Sequence, residues 1–152
     1  MGDPLNFLAL EHELIARLQA QLASCQPPVH VLSAADLAGV MEEKQLTPAV
    51  HVVYQGYRVA EGRTDQKAAR IEQTWLAVVT TRNTRALKTG EAARAQAGPL
   101  AQQVVAALMG WQPASASKPL RLESGPSAGF SAGYQYLPLA FVAETVVKAA
   151  FN

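Results

Sequence analysis

Two long runs of alternating side chains constrain the fold of this chain more than any other feature. Val50 and Val52 share one face of the first run, and Trp75, Ala77 and Val79 share one face of the second. Successive side chains of a β-strand point to opposite sides, so a period of two residues is typical of a strand with one buried face. The runs therefore predict two antiparallel strands whose buried faces contribute to one core.

A polar segment, residues 61–70, separates the two runs. It is longer than a tight turn requires, and extra loop length is usually functional or disordered. The segment therefore predicts a long hairpin that protrudes from the body of the protein. Gly56 lies inside the first run, where a glycine indicates a bulge or a close backbone approach.

Charged residues of both signs are concentrated around this hairpin. Nucleic-acid-binding loops rarely carry so many acidic residues among their basic ones, whereas mixed charge is common at the rim of a protein interface. The hairpin is therefore predicted to contact a protein partner. The predicted partner-interface residues are Arg58, Arg63, Asp65, Lys67 and Arg70.

Three helices are predicted, over residues 4–23, 34–43 and 99–109, from apolar spacings of three and four residues. Asp3 followed by Pro4 is suited to the start of the first helix. Gly110 is suited to a left-handed cap at the end of the third helix, and Trp111 is expected to fold back over its last turn.

Further strands are predicted at residues 29–32, at 120–124 and at the end of the chain, over residues 134–147. Pro138 interrupts the last strand, and a proline in a sheet is expected at an edge, a bend or a bulge. The predicted fold class is α+β. One domain, residues 1–152, has a mixed, mostly antiparallel sheet packed against two longer helices and one short helix.

Composition excludes several classes of function. Only 16% of residues are charged and the formal net charge is +1, so no strong field attracts nucleic acid or an anionic membrane. Cys25 is the single cysteine, which excludes an intramolecular disulfide. The start of the chain lacks the pattern of a signal peptide, and a protein of the cytoplasm is expected.

No catalytic, cofactor-binding or metal-binding residue is identified. His12, His30 and His51 lack the helical spacing of a zinc site, and no phosphate-binding or nucleophile motif is present. Glutamates such as Glu72 and Glu144 could still be brought together by folding. A small enzyme or ligand-binding domain, with a site not visible in the sequence, therefore remains the alternative to an interaction protein.

The order of these elements resembles the tail terminator family of long-tailed phages, in the version found in Mu-like phages, prophages and phage-tail-like bacteriocins. The resemblance depends on the N-terminal amphipathic helix and on four sequence runs. These are VHVVYQGYRV, QTWLAVVTTR, GPLAQQVVAALMGWQP and YQYLPLAFVA.

The resemblance implies a structural virion protein without enzymatic activity and without a cofactor. It implies a hexameric ring that caps the tail tube, stops tube polymerisation and forms the surface that joins the neck or head. The implied partners are the chain itself, the tail tube protein and a neck or head-joining protein, with no specific nucleic acid and no membrane. The implied location is the host cytoplasm during assembly and then the virion tail.

Overall fold

A computed structural model describes residues 6–34, 46–82 and 91–150, with the side chains of 91–93 left out. The predicted cap at Asp3 and nearly all of the predicted helix 34–43 lie outside the described residues. Two helices and six strands are described, and the first helix is shorter than the predicted 4–23. They are α1 (Ala9–Gln21), β1 (His30–Ser33), β2 (Ala49–Gly62), β3 (Ala68–Arg82), α2 (Glu91–Leu108), β4 (Arg121–Glu123), β5 (Gly129–Ser131) and β6 (Tyr134–Lys148).

The six strands form one sheet in the order β1-β2-β3-β6-β4, and β5 also pairs with β6. β1 pairs with β2 in parallel, and the other described pairs are antiparallel. This arrangement confirms the predicted α+β class with a mixed, mostly antiparallel sheet. Because β3 lies in the centre, both long strands that flank it take their position from it.

One face of the sheet, here called the helix face, is covered by α1 and α2. Trp75 lies at the centre of this face with only 1% of its surface exposed, between Tyr54 of β2 and Phe141 of β6. The core that surrounds it contains Leu14 and Leu18 of α1 and Val104 of α2. The opposite face, here called the far face, carries the alternate residues of β3, including Leu76 and Val78.

The hairpin differs from the predicted long loop. β2 continues to Gly62 and β3 begins at Ala68, so half of the polar segment is strand and the connection is only residues 63–67. The prediction was wrong about the loop because it treated polar residues as loop residues. Here they extend an antiparallel pair, and cross-strand ion pairs compensate for their charge. Gly56 lies at a register shift with a φ of 140°, which confirms the predicted bulge.

The second long helix begins at Glu91, eight residues before the predicted start, and Pro99 lies inside it. The Gly98-Pro99 pair was interpreted as a helix start because proline lacks the N–H that an interior turn uses. Alanine favours helix strongly, and Ala97, buried in the core, extends the face of Leu100 and Val104 across the proline. Core burial on both sides of Pro99 therefore offsets the lost hydrogen bond.

The Gly-Trp pair that ends α2 forms a structural corner. Gly110 adopts a φ of 81°, and its N–H donates to the Leu120 carbonyl at 2.9 Å. The Leu120 N–H donates in turn to the Trp111 carbonyl at 2.8 Å. Trp111 packs against the core, and the Arg17 guanidinium of α1 lies 5.1 Å from the centre of its ring. The predicted left-handed conformation of Gly110 is confirmed, and Trp111 packs against the core that α1 and α2 share.

Pro138 lies in an interval of β6 that is paired on one side only. It pairs with Val78 in an unbroken β3–β6 register, so the strand has no bulge there. On the other side, β5 pairs with residues 134–136 and β4 with residues 140–142, which leaves Pro138 between them. The predicted edge-like position is confirmed, because a missing N–H is tolerated where no ladder bond is required.

His51 is buried on the far face, with 2% of its surface exposed. Its Nδ1 lies 3.2 Å from the Thr80 hydroxyl, while its Nε2 is buried without a hydrogen-bond partner. Burial penalises the charged imidazolium and lowers the pKa of His51 from its ordinary value. This side chain is therefore a neutral part of the packed sheet at neutral pH.

Truncation of the central tryptophan tests the core. Trp75→Ala is expected to lower the free energy of unfolding by about 3–5 kcal/mol, because a fully buried aromatic leaves a cavity. Chemical denaturation measures the change. Val59→Ala, at a position that is 56% exposed, is the control and should change stability by less than about 0.5 kcal/mol. Equal effects of the two substitutions would contradict the assignment of faces.

The lowered pKa of His51 predicts a pH dependence of stability. The unfolded imidazole titrates near its ordinary pKa of about 6.5, so below this pH the unfolded chain binds the proton more readily than the folded one. Stability from neutral His51 is therefore complete above about pH 6.5 and falls as the pH drops towards the folded pKa. His51→Gln should remove this part of the slope in urea titrations, whereas His12→Gln should keep it. An unchanged slope in His51→Gln would refute the prediction.

Candidate interaction surface

The hairpin turn is ordered by Asp65. Its carboxylate accepts a hydrogen bond from the Lys67 backbone N–H at 3.0 Å and pairs with Arg63 Nη2 at 2.7 Å. The Gln66 N–H donates to the Arg63 carbonyl, and Gln66 adopts a left-handed φ of 61°. Three of the five predicted interface residues, Arg63, Asp65 and Lys67, therefore lie together at the hairpin tip.

The other two predicted interface residues lie lower, along the strands of the far face. Arg58 pairs with Glu72 at 2.8 Å across β2 and β3. Arg70 lies 4.0 Å from Glu61 and 3.8 Å from Glu144. The structure thus divides the predicted interface into a tip and a charge network on the flat of the sheet.

Two glutamates are brought together at the centre of this network. Glu72 and Glu144 are direct cross-strand partners of β3 and β6, and both side chains point to the far face. Arg121 contacts Glu72 at 3.3 Å, and Lys118 contacts Glu144 at 3.8 Å, in addition to the two arginines of the hairpin. Folding therefore does join two carboxylates, as the sequence left open, but each one is neutralised by two cations.

Arg121 and Lys118 were missed as site residues by sequence reasoning. They belong to a short, serine-rich part of the chain, about fifty residues away from the hairpin, and no local pattern links the two. Their position depends on the pairing of β4 with β6, which sets Arg121 opposite Val142. The two cations that this segment adds around the glutamates were therefore not visible in the sequence.

A groove of about 490 Å³ crosses the far face beside this network. It is open to solvent, and His51 is not among the residues that line it. General acid–base catalysis needs a group free to exchange a proton with a substrate, whereas Glu72 is held between two arginines. In the described part of the chain, no three metal-ligating side chains converge. The two carboxylates that line the groove, Glu72 and Glu123, are both paired with arginines.

An exposed apolar cluster lies on the helix face at the base of the hairpin. Tyr57 and Val59 are 59% and 56% exposed, and the ring of Phe7 packs edge-on against Tyr57 at 5.3 Å between centroids. The Gln73 side chain donates to the Phe7 carbonyl at 2.9 Å and fixes this segment on the sheet. We call Phe7, Tyr57 and Val59 the hairpin patch. Exposed aromatic and aliphatic groups bordered by charges are typical of a protein-binding surface.

The remaining candidates for chemistry are dispersed. His12 is exposed on α1 and His30 is half-buried in β1. The Cys25 thiol lies 2.9 Å from Gln103 Oε1. Across the ranges that the structure describes, neither helix has the length and apolar character needed to cross a bilayer.

Comparison with known proteins gives the family. A search of curated proteins found no significant match to this chain. A family model described as phage tail terminator protein matches residues 5–150, which is nearly the whole sequence. The match includes the sheet, both helices, the charge network and the hairpin patch. The chain therefore belongs to the phage tail terminator family, a family of structural phage tail proteins.

Proposed function

We propose that this protein caps the tail tube, stops tube polymerisation and presents a joining surface to the neck or head. The observation that carries the proposal is the exposed end of the β2–β3 hairpin in a member of this family. The hairpin patch lies at the base of this hairpin and the charged tip at its turn, and the charges of the tip are of both signs. These features support a protein partner, as proposed for Arg58, Arg63, Asp65, Lys67 and Arg70.

Termination of a tube places a geometric demand on the cap. One face must match the last ring of the tube, and the other face must offer no site for a further tube subunit. A closed cyclic assembly meets this demand, since head-to-tail contacts that close leave no free end. We propose a hexameric ring that assembles in the host cytoplasm and remains in the virion tail.

Contacts of single subunits with the tube need not be strong. A ring docked on a tube makes several linked contacts, and each later contact benefits from a high effective concentration. In this proposal the mixed-charge hairpin tip supplies one such contact from each subunit. In this proposal the chain performs no catalysis, and its activity is the geometry of the surface it offers.

Tube length measures the proposed activity. Purified protein added to polymerising cognate tube subunits should shorten the tubes and leave an additional density at one end, because a capped end cannot grow. Electron microscopy gives both the length distribution and the end density. Bovine serum albumin at the same concentration is the control. An unchanged distribution without bound ends would contradict the proposal.

Charge reversal at the hairpin tip separates docking from folding. The double variant R63E/K67E should lose end binding, because the tip would repel the surface that it now matches. Its thermal midpoint should stay nearly unchanged, since exposed ion pairs contribute about 0–1 kcal/mol. Gln19→Glu with Gln102→Glu adds negative charge at exposed positions of the helices and serves as control. Full capping by R63E/K67E would rule out the tip as the contact.

A further inference from the structure

The outer edge of β2 is open along the hairpin. β1 pairs only with Ala49–Val52, so residues 53–62 of β2 have no strand on that side within the described ranges. The side chains of Tyr57, Arg58 and Val59 on this segment are all exposed. An open strand edge presents unpaired N–H and C=O groups and readily pairs with another strand.

The opposite edge of the sheet is also open. β4 is the last strand in the order of the sheet, and all three of its residues, Arg121, Leu122 and Glu123, are exposed. Leu122 is 40% exposed on the helix face, and burial of its apolar side chain by a partner would be favourable. The molecule therefore has two unlike edges, one at each end of the same sheet.

Strand direction makes these two edges compatible. β2, β3, β6 and β4 alternate in direction across the sheet. When one copy is rotated onto the next about an axis along the strands, every strand keeps its direction. Since β2 and β4 run in opposite directions within one copy, the β4 edge of one copy and the β2 edge of the next are antiparallel. Repeating the contact continues the sheet from copy to copy by one heterologous interface.

The side chains on the two edges match when they are placed antiparallel. On β2, the register shift after Val59 sets Glu61 on the same face as Arg58, since they pair with Arg70 and Glu72. On β4, Arg121 and Glu123 share that far face. From Arg58 to Glu61, the β2 edge has the order positive, apolar, negative. From Glu123 back to Arg121, the β4 edge has the order negative, apolar, positive, so opposite charges face each other.

We propose that a second copy of this chain pairs its β4 edge with the β2 edge in one register. Arg58 then lies opposite Glu123 of the next copy, Val59 opposite Leu122, and Glu61 opposite Arg121. Opposite charges directly across an antiparallel pair stabilise it, and like charges destabilise it. The proposal deepens the proposed function, because it assigns the contact that would close the ring.

Pairing between two β2 edges is the competing arrangement. An antiparallel β2 pair also sets Arg58 against Glu61, but it leaves Leu122 and the whole β4 edge of both copies uncovered. It also joins two copies only, because an isologous contact uses the same edge on both sides. Only the β2–β4 arrangement covers both edges with a single type of contact.

Complementation between two single variants tests the register. R58E places like charges at Glu123, and E123R places like charges at Arg58, so each variant alone should associate at least about tenfold more weakly than the wild type. Mixed in equal amounts, the two variants can alternate around a ring. Every second interface then pairs Arg58 with Glu123, as in the wild type, and the remaining interfaces pair the introduced Glu with the introduced Arg. Every interface of the mixed ring therefore has opposite charges again. Assembly is followed by sedimentation velocity and native mass spectrometry up to about 1 mM.

Three controls and their outcomes decide the proposal. Circular dichroism and thermal melting confirm folding of each variant. Leu122→Asn introduces no charge and should also weaken association, because Leu122 lies on the proposed β4 contact. Gln19→Glu mixed with Gln102→Arg should associate like the wild type. Recovery of association in the mixture of R58E and E123R supports the proposal. Loss of association in R58E but not in E123R points to β2–β2 pairing and overturns it, as does a wild type that stays monomeric throughout.

Failure here is distinguishable from failure of the proposed function. Capping of tubes is measured by tube length and does not depend on which edges meet. Wild-type protein that shortens tubes while the mixed variants show no recovery would overturn the β2–β4 register alone. Wild-type protein that associates through this register but leaves tube length unchanged would overturn the capping function alone.

Discussion

The structure depends on the burial of one strand. All fifteen residues of β3 pair with β6, and twelve positions pair with β2, so β3 is enclosed on both edges. Trp75 lies at its middle, between Tyr54 and Phe141, and both helices cover it. Because this layer fixes the register of all three long strands, it also fixes which side chains meet at the far end of the hairpin, well beyond the helices.

The surface proposed to act in assembly follows from that register. Where the helices no longer cover the sheet, the strands continue as a charged far face and an apolar helix face. Glu72 and Glu144 meet across β3 and β6, and cations from four segments neutralise them. Such exposed pairs add little to folding stability. Their arrangement, together with the hairpin patch and two open strand edges, is proposed to supply specificity for a protein partner.

Local patterns in the sequence were sufficient for part of this structure. The alternation of side chains predicted the two faces of β3. Single glycines predicted the bulge at Gly56 and the cap at Gly110, because each of these features depends on chemistry within a few residues. Features that depend on tertiary context were missed. The helix continues through Pro99 because the core holds both sides, and the polar hairpin stays in strand form because of cross-strand ion pairs. The meeting of Glu72 with Arg121 depends on a pairing between distant segments.

Hydrogen exchange of backbone amides tests most directly whether assembly uses the edges of the sheet. Free protein is compared with protein bound at tube ends, segment by segment. An open edge exposes its outward amides, and strand pairing protects them. The account predicts new protection in residues 53–62 and 121–123, with little change in α1 and α2. Unchanged exchange at both edges in the bound state, or protection confined to the helices, would contradict it.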